Sequence, residues 1–336
     1  MSHATDISKQ IDSHEVNGTR TVSNQTASIG VLKHWRPAFF AAIIAGLFQG
    51  SPSHATAENA KRIVAIGGAV TEILYALGLD DRIVGVDSTS LYPAHALTQK
   101  ANVGYMRQLS PEGILGLNPD LILAIDGSGP ATTLNVLKEA NVPLVIVPEH
   151  FSEDGLVEKI KVIAHEMNVD ARGECLASAV ASDLAAIKQL RAYIARKSRI
   201  MFVMSLVDGR AMAAGHNTAA DEIITLAGGT NAVDGYDGYK TIGEEAIVAA
   251  KPDVILAMQR GRDSLSADAI FANAAFKLTP ASEKKSFISM DGLYLLGFGP
   301  RTAAAAHDLA NDLYPSLAKQ TGEWTSQVSA TDCRTK

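Results

Sequence analysis

Two stretches of the chain repeat one another, and that duplication limits the available architectures more than any other feature. Ser110–Ala124 (SPEGILGLNPDLILA) lies over Gly243–Ala257 (GEEAIVAAKPDVILA), pairing Glu112 with Glu245, Pro119 with Pro252 and Asp120 with Asp253. A looser match sets Thr71–Gly78 (TEILYALG) over Asp221–Gly228 (DEIITLAG). The two offsets, 133 and 150 residues, differ by one loop's worth of insertion. A long repeat that occurs twice describes paired lobes rather than a solenoid.

Within each copy, short β-branched runs alternate with helical stretches. Strands are expected at Lys61–Gly67, Ile83–Val86, Leu121–Ile125, Leu144–Val147, Ile200–Ser205, Val254–Met258 and Phe287–Met290, with a helix over Thr71–Leu77. This alternation predicts an α/β fold of two Rossmann-like lobes with mostly parallel sheets. Between the copies, Leu176, Val180, Leu184, Ile187, Leu190 and Ile194 recur at helical spacing, predicting one long linker helix over residues 169–197. The expected division is an N-terminal lobe at 56–168, the linker, and a C-terminal lobe at 198–336 with a disordered tail from about residue 322. Ligands of open α/β sheets sit beyond the carboxyl ends of the strands, so a cleft between the lobes should be lined by the segments following each strand.

The first 55 residues read differently. Lys33, His34 and Arg36 precede an eleven-residue apolar run, Ala38–Phe48, too short to span a bilayer. Ser53 and Ala55 then supply small side chains three before and one before a cut after Ala55. Basic flank, short apolar core and small-x-small site together predict an export signal and a periplasmic mature protein. No cysteine lies near that cut, which argues against a lipid anchor.

Composition narrows the function. With 47% hydrophobic and 20% charged residues the chain can bury real cores. Its 30 basic and 36 acidic side chains give a net charge of −6 and no electrostatic reason to bind nucleic acid. Two cysteines, Cys175 and Cys333, exclude a disulfide scaffold and a Cys-rich metal site. They can pair only if the tail folds back on the linker helix, so they are expected unpaired. Gly-x-Ser-x-Gly, His-Glu-x-x-His and P-loop patterns are absent, and the chain is not expected to be an enzyme.

Aromatic residues are only 6% of the chain, which makes tyrosines in two equivalent loops notable. Tyr105 precedes the Glu112 helix, and Tyr236 and Tyr239 precede the Glu245 helix. In extended chain, Arg107 would lie on the same side as Tyr105, and a guanidinium there favours the phenolate. A phenolate is a hard donor suited to ferric iron, and tyrosine is known as an axial haem ligand. The five histidines beyond the leader, His95, His150, His165, His216 and His307, show no metal-ligand spacing. His216, before a helix start, is a candidate second ligand or hydrogen-bonding group. Arg260 and Arg262, after the Val254–Met258 strand, and Arg301, in LGFGPR, are candidates for carboxylate capture.

Four stretches then carry a resemblance. Arg62–Gly78 (RIVAIGGAVTEILYALG), Val103–Leu115 (VGYMRQLSPEGIL), Ala214–Asp221 (AGHNTAAD) and Leu295–Arg301 (LGFGPR from Leu296 onward) resemble the periplasmic haem-binding proteins of bacterial haem ABC importers. These belong to the helix-linked binding proteins that also serve cobalamin and ferric siderophores. The resemblance covers residues 60–320. It implies that Tyr105 ligates the iron of transported haem b and that Arg107 hydrogen-bonds this tyrosine. It further implies that Glu112 and Glu245 dock on arginines of a permease dimer in the inner membrane, with the carrier a monomer. His216 stands where the resemblance would place an arginine. A ferric-siderophore or corrinoid carrier of the same fold, and an exported α/β enzyme, remain the alternatives.

Overall fold

The computed structural model describes residues 60–259, 261, 264–317 and 322–336. The leader and its cleavage site lie outside them, as do Arg260 and Arg262. The N-terminal lobe runs β1 (Ile63–Ile66), α1 (Gly68–Ala76), β2 (Ile83–Val86), α2 (Ala96–Gln99), β3 (Ala101–Asn102), α3 (Pro111–Leu115), β4 (Leu121–Ile125), α4 (Ala131–Glu139), β5 (Leu144–Val147) and α5 (Glu153–Glu166). Its sheet is wholly parallel in the order β3-β2-β1-β4-β5. After the linker helix α6 (Asp170–Arg191) come β6 (Arg199–Val207), β7 (Arg210–Ala214), α7 (Ala219–Leu226), β8 (Thr230–Asn231), β9 (Tyr239–Ile242) and α8 (Glu244–Ala250). The C-terminal lobe ends with β10 (Val254–Gln259), α9 (Ala267–Ala272), α10 (Pro280–Lys284), β11 (Phe287–Asp291), α11 (Gly292–Leu296) and α12 (Thr302–Leu313).

The second sheet has the order β11-β10-β6-β7-β9, with β8 also on β6. Its β6–β7 and β7–β9 pairings are antiparallel. All seven expected strands are present, whereas the β6–β7 hairpin was not foreseen. Its Asp208-Gly209 turn, with φ of 50° and 76°, is the sequence signal for a two-residue hairpin.

Strands buried on both faces explain the apolar runs. Ile63 and Ala65 join a core that passes through α6 into the C-terminal lobe, while Val64 and Ile66 enter a second core on the outer face. In the other lobe Ile200 and Phe202 join the shared core, and Met201 and Val203 a third.

The repeat has a physical meaning. Asp120 accepts the backbone N–H groups of Lys61 (2.8 Å) and Arg62 (2.9 Å), and Asp253 accepts that of Arg199 (3.1 Å). Arg62 in turn donates to the carbonyls of Leu117 and Asn118, and Arg199 to those of Ala250 and Ala232. Each Arg–Asp pair thus fastens the first strand of its lobe to the helix end and the strand start within the duplicated segment. The equivalent helix ends both turn left-handed, at Asn118 (φ 47°) and Lys251 (φ 44°).

Helix α6 has 22 residues and spans about 33 Å. It stops six residues short of the expected end, and Ile194 beyond it packs against Gly228, where a Cβ would sit 2.2 Å from its Cδ1. Arg191 bridges the lobes there, donating to Glu153 in α5 (3.2 Å) and to the Thr225 carbonyl in α7 (3.2 Å).

The tail corrects two expectations. Residues 322–336 are ordered against the linker rather than loose, and Cys333 is disulfide-bonded to Cys175. The cause is Asp183, almost fully buried on α6. Its carboxylate accepts the Ser326 hydroxyl (2.6 Å) and the N–H groups of Gln327 (2.6 Å) and Val328 (3.2 Å), capping the short helix Gln327–Ala330. Trp324 stacks on His307 of α12 at 4.5 Å, and Arg334 reaches Asp80 of the N-terminal lobe at 2.8 Å.

Candidate functional site

A cleft of about 810 Å³ opens between the lobes. From the N-terminal lobe it is lined by the segment after each of four strands: Gly67–Ala69 after β1, Ser88, Thr89 and Leu91 after β2, Asp126 after β4, and Glu149 and Phe151 after β5. Ile125 at the end of β4 and the turn Tyr105–Arg107 complete that wall. The other lobe supplies Met204 from β6, Met212 from β7, Ala219, Tyr239 from β9, Met258 and Gln259 from β10, Gly292, Leu293 and Leu296 from α11, and Gly297 after it. The N-terminal wall and the end of β10 follow the carboxyl-end rule, whereas Met204 and Met212 come from within their strands and Tyr239 opens β9.

Asp87, fully buried, builds the floor beneath α1. It accepts the N–H of Gly67 (2.8 Å), the N–H and hydroxyl of Thr89 (3.0 and 2.7 Å) and the Ser90 hydroxyl (3.0 Å). The chain needs glycine at 67, where φ is 109°, and at 68, where a Cβ would lie 2.5 Å from Leu293 of the opposite lobe.

Tyr105 sits at the rim, 41% exposed, and its hydroxyl has no hydrogen-bond partner among the described residues. The surrounding chain is a turn rather than extended: Gln108 N–H donates to the Tyr105 carbonyl at 2.7 Å. Gly129 N–H donates to Met106 (2.9 Å), and Leu109 N–H to Gly129 (3.0 Å), so the turn is pinned to the loop after β4. Across the cleft, the phenol of Tyr239 in the other lobe is pushed up by burial and pulled back by bonds to Ala220 and Thr218 and by the Arg107 charge. Tyr105, Arg107 and Tyr239 are thus brought to one cleft.

Other candidates go elsewhere. The Tyr236 hydroxyl donates to the Ala213 carbonyl at 3.1 Å, and burial pushes its phenol up. His216 lies 3.4 Å from Asp221 and is absent from the cleft lining. Arg301 is absent as well: it donates to Glu72 through Nε (3.0 Å), Nη2 (2.9 Å) and its backbone N–H (3.2 Å). Its guanidinium also stacks on Tyr92 at 3.5 Å. Glu72 is nearly buried, so the forked bond satisfies a carboxylate that would otherwise be stranded, and it ties α1 to the C-terminal lobe.

Sequence reasoning missed two cleft carboxylates. Asp126 and Glu149 each follow an apolar strand, which is the signal that would have found them. Burial pushes the Glu149 carboxyl up against the pull of Lys159. Lys159 is fully buried, ion-paired to Glu149, and donates across the lobes to the Phe298 carbonyl at 2.9 Å. Also missed were four methionines in the lining, Met106, Met204, Met212 and Met258, half of the eight in the chain. Thioethers make a soft, adaptable apolar wall. Among the described residues no group of three His, Cys, Asp or Glu side chains converges on a metal position.

Glu112 and Glu245 are both exposed, in the first turns of α3 and α8. The Ser110 hydroxyl donates to Glu112 at 2.7 Å and holds its carboxyl below the usual range.

Two lobes, one connecting helix and a lined cleft describe a binding protein, and the comparisons agree. The profile of the family described as "Periplasmic binding protein" matches residues 63–293. The chain belongs to the periplasmic binding protein family. This periplasmic binding protein is similar to the heme-binding protein RhuT from Roseiflexus sp. RS-1, at 38% identity and a TM-score of 0.73, over 76% of this chain and 99% of that one. It is likewise similar to the heme-binding protein BhuT in complex with two hemes, at 37% identity and a TM-score of 0.72, over 77% and 99% of the two chains. A lipoprotein of Bacillus subtilis, the uncharacterized ABC transporter substrate-binding protein YvrC, is 27% identical over 78% of this chain and 83% of its own.

Proposed function

We propose that the protein is an exported carrier that holds ferric haem b between its lobes and delivers it to an ABC importer. The observation that carries this reading is the free hydroxyl of Tyr105 at the rim of a methionine-lined cleft. A mostly apolar pocket with few polar anchors suits a flat macrocycle held for transport rather than transformed. Tyr105 supplies the axial phenolate. Tyr239 and Arg107 complete the polar side of the cleft, and Glu112 and Glu245 dock the loaded carrier on the permease. The Cys175–Cys333 bond supports export, since disulfides persist in oxidising compartments. The relatives' names support the ligand class.

A hemin titration followed by absorption spectroscopy tests the ligand. A saturable shift of the Soret band is expected. No saturable change with hemin, alongside tight binding of a corrinoid or a ferric siderophore, would replace haem by that ligand. For docking, the double substitution Glu112→Arg and Glu245→Arg should leave hemin binding intact. It should lower uptake by about ten-fold or more, because like charges then face the permease arginines. Normal uptake by that variant would refute the docking role.

A further inference from the structure

The C-terminal wall of the cleft does not end at Met212. A groove of about 410 Å³ continues along the same sheet face, lined by Ser205, Val207, Asp208, Arg210, Met212 and Thr241, and Met212 belongs to both spaces. Arg210 lies two residues from Met212 on β7, which places it on the same face about 7 Å farther along. Its side chain is exposed and makes no hydrogen bond or ion pair with any described residue. The arginines at 62, 191, 199, 301 and 334, by contrast, are committed to carbonyls or carboxylates. Two hydroxyls, on Ser205 and Thr241, share the groove with Arg210.

We propose that Arg210, with Ser205 and Thr241, forms a carboxylate subsite that takes the propionate edge of a macrocycle seated in the adjoining cleft. The inference rests on the haem reading and names the groups that recognise the acidic side of that ligand. A guanidinium forks a carboxylate through two parallel N–H bonds, and adjacent hydroxyls donate to its remaining lone pairs. Apolar porphyrin then lies along Met204, Met212 and Met258. Asp126, without a cationic partner among the described residues, lines the other wall and repels propionates from it, whereas the charge of Glu149 is already met by Lys159. Asp208, on the hairpin turn, also lines the groove without pairing to Arg210. It weakens the field that a carboxylate meets there.

The test compares hemin with hemin dimethyl ester, whose propionates carry no charge, on the whole protein. Wild type should bind hemin about ten-fold more tightly than the diester. Arg210→Gln should remove that preference by weakening hemin alone, and Asp208→Asn should widen it by a few-fold. An Arg210→Gln protein that keeps the preference, or that loses affinity equally for both compounds, overturns the subsite. Wild type that fails to bind hemin overturns the haem reading and the subsite together. Hemin binding with an unaltered acid-to-ester ratio removes the subsite alone.

Discussion

Tyr105→Phe is expected to weaken hemin binding by roughly 100-fold or more and to abolish the spectral signature of an iron–phenolate bond. The substitution removes one oxygen and keeps the ring. Tyr105 is 41% exposed and its hydroxyl has no described partner, so no internal bond is lost and the fold should be untouched. The effect is large because an axial bond is made by a single atom that nothing else in that turn replaces. Tyr239→Phe provides the contrast. Its hydroxyl is already engaged by Ala220 and Thr218 inside the cleft, and burial favours its neutral form. Losing it should cost less affinity and leave the phenolate band in place. Hemin affinity and spectrum unchanged in Tyr105→Phe, or a larger loss in Tyr239→Phe, would move the axial role away from Tyr105.

Cys333→Ser should lower unfolding stability by about 3 kcal/mol and the melting temperature by several degrees. The bond spans 158 residues and so encloses the whole C-terminal lobe together with most of the linker helix. A ring of that size restricts the unfolded chain by about 5 kcal/mol in the chain-entropy picture, and measured values fall below that limit. Cys175→Ser should give the same loss, as should reduction of the wild type. Hemin affinity should not change, because neither cysteine lines the cleft. A loss under about 1 kcal/mol would mean that the Asp183 cap and the Arg334–Asp80 pair hold the tail without covalent help.

Much of the architecture is legible in the chain because it is written locally. Each β-branched run between helical stretches is a strand, and the duplicated segments mark equivalent strand–helix joints fastened by Arg62–Asp120 and Arg199–Asp253. The tyrosine loops stood out for a similar reason, since position before a duplicated helix is a property of order along the chain. What order along the chain does not carry is the partner distant in sequence. Arg301 reads as a free cation until Glu72, 229 residues away, is seen to take it. Nor does the order of residues say that Arg107 and Tyr239, from opposite lobes, share one cleft.

By itself the sequence determined the paired α/β lobes, the linking helix and the loop that carries Tyr105 ahead of a duplicated helix, because periodicity, β-branching and duplication act over a few residues at a time. Only the tertiary structure decided the disulfide, the Glu72–Arg301 tie, the methionine wall and the groove beyond it. Those depend on which surfaces meet once the chain has packed, and burial there assigns each charge a partner or leaves it free for a ligand.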